Sequence, residues 1–143
     1  MAEPSPAPII AIESNRHVIQ FGGTGLAAGA QITSVSGGIT FRYRILKVKV
    51  FFLDDAVPGM VYHVYVGSTP GGSTTGLPEG QSIFAPYSTT TEIRGSQGTR
   101  IMEPMTIVDS TRSYLKVHVQ NLVPPPPAGF PVSYAAEITI ERL

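Results

Sequence analysis

Glycine and proline punctuate this chain from end to end: 15 glycines and 13 prolines are spread over 143 residues, and few stretches of ten escape both. An interior proline costs a helix about 3 kcal/mol and an interior glycine about 1, so long helices are ruled out first. No segment sustains an apolar stripe at the i, i+3, i+4, i+7 spacing. The recurring pattern is alternation, the mark of strands with one buried face. In the last segment Tyr134, Ala136, Ile138 and Ile140 fall on one side, and Ser133, Glu137, Thr139 and Glu141 on the other. Over Tyr114 to Gln120 the same spacing predicts Leu115, Val117 and Val119 inward, with Lys116, His118 and Gln120 outward.

The longest strand-like run, Phe41 to Leu53, changes phase partway. Phe41, Tyr43 and Ile45 share one face, whereas Leu46, Val48, Val50 and Phe52 share the other. A strand cannot change faces without an extra residue, so a β-bulge or a bend between sheets is expected at Ile45-Leu46. Asp54 to Gly59 reads as a turn, and Val61 to Val66 as the returning strand of a hairpin. Weaker strands are expected at Ile9–Glu13, Arg16–Phe21, Ala30–Val35, Ser82–Tyr87, Thr89–Arg94 and Arg100–Val108, with long loops at Gly22–Gly29 and Gly67–Gly80. About eight short strands with long, uneven connections predict an all-β fold, an antiparallel β-sandwich or barrel of jelly-roll-like connectivity.

Residues 9–143 read as a single β domain, preceded by a flexible proline-rich tail over residues 1–8. A domain of this length buries roughly 68–70% of its unfolded surface and needs no cross-link to hold a core. There are no cysteines, which excludes disulfides, thiolate metal sites and a cysteine nucleophile. Ten basic and ten acidic residues balance, so the basic excess of a nucleic-acid binder is absent. Only 14% of residues are charged, against about 25% in ordinary domains. A surface so poor in charge tends to self-associate, and a homo-oligomer is expected. The N-terminus lacks the features of a secretory signal, and no run approaches the ~18 apolar residues of a membrane helix.

Candidate chemical sites are few. Gly23 to Ala28 matches GxGxxA, but a dinucleotide site needs a helix directly afterwards, and the next residues read as strand and turn. His17, His63 and His118 lie in separate strand-like stretches, where they would make a metal site only if the fold brought them together. Asp54-Asp55 offers too few oxygens for calcium, and Glu137 and Glu141 are expected to face solvent. Tyr62, Tyr65 and Tyr87 could form a sugar-stacking platform, although the chain has no Trp. The expectation is no catalytic residue, no cofactor and no metal. Pro124-Pro125-Pro126-Pro127 forms a stiff polyproline spacer of about 12 Å. It could be a crossover to the last strand, an arm carrying that strand to a neighbouring subunit, or a ligand for an SH3-type domain.

A short, cysteine-free, β-rich chain with the proline-rich tail Met1–Pro8, the proline run at 124–127 and so little charge resembles small virion proteins. It is similar to the β-barrel decoration (auxiliary) proteins of tailed-phage heads and to single jelly-roll coat proteins. The resemblance implies a homotrimer or capsomer that binds the major capsid protein and reinforces the lattice. The location would be the capsid surface of a virion, after synthesis in the host cytoplasm, with no nucleic-acid or membrane partner. Residues placed to bridge subunits would be Pro4, Pro6, Pro8, Ile9, Pro124, Pro125, Pro126, Pro127 and Phe130. The alternative is a carbohydrate- or cell-surface-binding β-sandwich module.

Overall fold

The computed structural model describes residues 6–52, 60–83, 92–95, 98–122 and 131–143. They form eleven strands: β1 (Ile9–Ala11), β2 (Arg16–Leu26), β3 (Gln31–Val35), β4 (Tyr43–Phe52), β5 (Met60–Gly67), β6 (Gln81–Ser82), β7 (Glu92–Gly95), β8 (Gly98–Met102), β9 (Ile107–Val108), β10 (Tyr114–Asn121) and β11 (Val132–Arg142). The first sheet runs β1-β2-β11-β4-β8, with β9 beside β8 on the same edge of β4. The second runs β3-β10-β5-β6, with β7 also on β5. Six of the ten connections between successive strands cross from one sheet to the other, so the two sheets are interwoven in sequence as well as packed face to face. The sandwich is all-β and antiparallel, and its two sheets do not close into a barrel.

The alternation in the sequence sets which side chains meet between the sheets. From the first sheet come Ile19 and Phe21 of β2, Tyr43, Ile45, Val48, Val50 and Phe52 of β4, and Tyr134, Ala136, Ile138 and Ile140 of β11. Facing them are Met60, Tyr62 and Val64 of β5 and Leu115, Val117 and Val119 of β10. Full burial of each Val, Ile or Leu contributes roughly 1.5–3 kcal/mol.

The phase change in β4 is a bulge at Leu46. Lys47 pairs with Thr139 and Ile45 with the next residue, Ile140, which leaves Leu46 unpaired between them. The bulge lets Tyr43 and Ile45 share the inner face with Val48, Val50 and Phe52. On the other edge of β4 the ladder opens at Glu103–Thr106, so the run expected as one strand from Arg100 to Val108 is split into β8 and β9.

Two expectations are corrected. β4 and β5 are not a hairpin, because they belong to opposite sheets. Each has an apolar inner face, and the two faces meet across the core: Phe52 lies edge-on to Tyr62 at 5.3 Å, and the Tyr62 hydroxyl donates to the Phe51 carbonyl at 2.6 Å. The expected loop at Gly22–Gly29 is strand as far as Leu26, because the Tyr134 ring lies over Gly23, where a Cβ would come within 2.4 Å of its hydroxyl. Finally, of the three readings of the proline run, the structure matches a crossover to a last strand within the same chain. That strand, β11, is central between β2 and β4 of its own chain, and its apolar stripe fills that chain's core.

The N-terminal segment is docked before β1 begins. Ala7 is buried, its amide donates to Val35, and its carbonyl accepts from Gly37, both at 2.8 Å. The turn at Asp54–Gly59, the strand-like residues 84–91 and the proline run at 124–127 lie outside the described residues.

The bulge makes a sharp prediction. Deleting Leu46 moves Tyr43 and Ile45 to the wrong face and should abolish cooperative folding, seen as loss of near-UV circular dichroism. Leu46→Ser keeps the count and should cost no more than about 1.5 kcal/mol in urea unfolding.

Candidate functional site

The outward face of β10 is where chemistry gathers. Lys116 and His118, expected in solvent, are 0% and 1% exposed, and His63 beside them on β5 is 4% exposed. The register sets His118 opposite His63 on one side and Thr33 on the other. The two imidazoles lie 6.1 Å apart between ring centroids. Segment 68–80, read from its glycines as an open loop, lies back over this face.

Lys116 explains why it does. A buried ammonium without partners is prohibitively costly. Its Nζ donates to the Glu79 carbonyl at 3.0 Å and to Oε2 at 3.3 Å. Glu79 also accepts from the Ser68 amide at 3.3 Å, the Ser68 hydroxyl at 3.1 Å and the Thr69 hydroxyl at 3.1 Å. The Ser68 amide first, then Lys116 and the two hydroxyls, hold its carboxyl down at about 2. The approach requires glycine at position 67, where a Cβ would sit 2.5 Å from Glu79 Oε2 and 2.9 Å from Lys116 Nζ. Gly80 (φ 135°) completes the turn back into β6.

A second fastening lies at Thr33. Its hydroxyl accepts from the Ser73 amide at 3.0 Å and lies 3.1 Å from the Ser73 carbonyl and 2.8 Å from His118 Nδ1. The other His118 nitrogen is 2.8 Å from Gln31 Oε1. His63 Nε2 is 3.3 Å from Gln120 Oε1, while its buried Nδ1 has no partner among the described residues. Burial, and next the neighbouring His63, pushes His118 down to about 4.

The other residues singled out from sequence are dispersed. His17 is in the first sheet, against Phe41 at 5.1 Å, so the fold unites two histidines and not three. No group of three or more metal-ligating side chains occurs among the described residues. Gly23 to Ala28 leads from β2 into a turn with no helix, so the dinucleotide motif has no phosphate cradle. Tyr62 is buried and hydrogen-bonded, Tyr65 is half-buried, and Tyr87 lies outside the described residues. Pro6 and Pro8 are exposed. Ile9 is half-buried against the core and pairs with Ile19. Pro4, Pro124, Pro125, Pro126, Pro127 and Phe130 lie outside the described residues. No helix among the described residues is long and apolar enough to cross a membrane.

No known family profile matches the sequence, and no curated protein does. Among solved structures, the chain is similar to Aeromonas hydrophila PliG, a periplasmic inhibitor of g-type lysozyme, at 13% identity and TM-score 0.45 over 97% of this chain and 98% of that one. It is also similar to a structure of infectious bursal disease virus, Gx strain, at 12% identity and TM-score 0.46 over 96% of this chain; there it spans 38% of the viral chain. A hydroquinone 1,2-dioxygenase from Sphingomonas sp. matches at 12% identity and TM-score 0.30, over 99% of this chain and 69% of that one. Neighbours this distant assign no role to the chain.

Glu79→Gln should lower the urea midpoint at pH 7, because the buried ammonium loses its counter-charge. Adding Lys116→Met should recover most of that loss, since a buried ion pair replaced by apolar groups is often neutral. An unchanged midpoint in Glu79→Gln would mean that Lys116 does not depend on this carboxylate.

Proposed function

We propose that this chain is a structural virion protein, a capsid decoration or minor coat protein that joins copies of itself into a ring, a trimer by preference, on the major capsid protein. The observation that carries this reading is where the apolar surface lies. Of eight large apolar residues exposed among the described ones, five are at the two ends of the first sheet: Ile10 and Ile12 at the β1 end, Ile101, Met105 and Ile107 at the β8–β9 end. Scattered exposed apolar residues are ordinary, whereas clustered ones mark contact sites.

The geometry of the ends favours head-to-tail contact. Three strands, β2, β11 and β4, separate β1 from β8 through four antiparallel pairings, so β1 and β8 run in the same direction. Ile10, Ile101 and Ile107 all point to the outer face, since their ladder partners Val18, Lys49 and Arg44 do. A neighbour's β1 laid beside β8 would continue the sheet and merge two apolar strips. Such a contact joins unlike surfaces and generates rings when the rotation closes. The β8–β9 end also borders a groove of about 560 Å³ between the sheets, lined in part by Val66, Ile83, Pro104 and Met105. The role is one of assembly rather than catalysis.

The test is native mass by light scattering across a concentration series, repeated with Ile101→Lys/Ile107→Lys. The wild-type chain should form a discrete oligomer, and the variant a monomer with an unchanged melting temperature. A wild-type chain that stays monomeric and fails to bind capsids lacking it would overturn the reading.

A further inference from the structure

We propose that segment 68–80 is an acid-released strap, held over the second sheet at neutral pH and lifted when the buried His118 imidazole beneath it takes up a proton. The inference is independent of the virion role. It rests on where the strap is fastened. Its two described fastenings, Thr33 to Ser73 and Lys116 to Glu79, flank His118: Thr33 is its cross-strand partner and Lys116 is two residues away on the same face. His118 itself is 1% exposed beneath these fastenings.

The charge around His118 decides the direction. From β5 it faces His63 at 6.1 Å, with Tyr65 one position along; β10 itself supplies Lys116 and Gln120. From β3 it bonds the neutral Gln31 and Thr33, while the strap's Ser73 and Glu79 bond its neighbours Thr33 and Lys116. Position 92 of β7, a glutamate, pairs in register with His63. Glu79 is already matched by Lys116. The groups bonded to the two imidazoles are a hydroxyl and amide oxygens, so among the described contacts no carboxylate neutralises a proton on His118. A charged His118 would sit buried beside a buried ammonium and a second imidazole.

The sign follows from linkage. His118 is held at about 4 in the closed form, and it returns toward the ordinary ~6.5 once the strap lifts and water reaches it. The open form therefore binds more protons between those values, and acid favours it. Closure is fully favoured above pH 6.5 and weakens as pH falls toward 4. Glu79, near 2, stays ionised throughout and is not the trigger. Between pH 7.5 and pH 5 a single histidine with these two values raises the open population roughly 30-fold.

Hydrogen–deuterium exchange of the full chain at pH 7.5 and pH 5, corrected for intrinsic rates, tests this. Peptides over 68–80 should exchange about 30-fold faster at pH 5, whereas those over β11 stay unchanged. In His118→Gln the strap should lose its pH response. If that variant does not fold, the NMR titration of His118 in the wild-type chain replaces it, with a midpoint below 5 expected. Equal strap protection at both pH values, acceleration of strap and β11 together, a retained response in His118→Gln, or a midpoint near 6.5 would each overturn the proposal.

Discussion

One buried ammonium organises half of this molecule. Lys116 lies on the face of β10 that would be wet in a simple two-layer sandwich, and it is fully buried. Its charge needs a carboxylate and a carbonyl, and Glu79 provides both. Bringing Glu79 there draws residues 68–80 back across the sheet, and that return forces glycine at 67 and a positive φ at Gly80. The same segment seats Ser73 on Thr33, so the neighbouring His118 loses water. The second sheet is thus buried on both faces: one is apolar and meets the first sheet, the other is polar and basic and meets a loop.

Legibility in the sequence followed this division. Where a strand has one buried face, alternation alone located its inward residues, as in Tyr134 to Ile140. The bulge was legible too, because two apolar phases in one strand admit few physical solutions. The partner of each strand was not. A turn-like sequence after Phe52 says that the chain reverses, not whether it returns within the sheet or across the core, and Tyr62 reaching the Phe51 carbonyl is a tertiary fact. Lys116 and His118 were read as exposed because periodicity treats a polar residue as solvated. The signal that could have corrected this was Glu79 between the glycines at 76 and 80, a carboxylate on a segment long enough to fold back. The glycines of that segment mark it as a loop, and at 67 and 80 they serve close approach.

The outer face of the first sheet is different again. Gln20 and Glu137 are 3.3 Å apart, Arg44 and Glu141 3.6 Å, and Lys49 lies 5.2 Å from the Phe51 ring centroid. These are exposed or half-exposed contacts of modest energy, and they leave the face polar and well matched to water. With one sheet capped by its strap and the other faced with paired charges, apolar surface is left mainly at the sheet's two ends. Edges rich in isoleucine are what monomeric β proteins avoid, through charge, proline or cover. Pro104 and the break between β8 and β9 blunt one end only in part, since Ile101 and Ile107 stay exposed on either side of it. Among the described residues, five of the eight exposed large apolar side chains lie at these two ends, so the apolar surface is concentrated where the first sheet's backbone is also left unpaired.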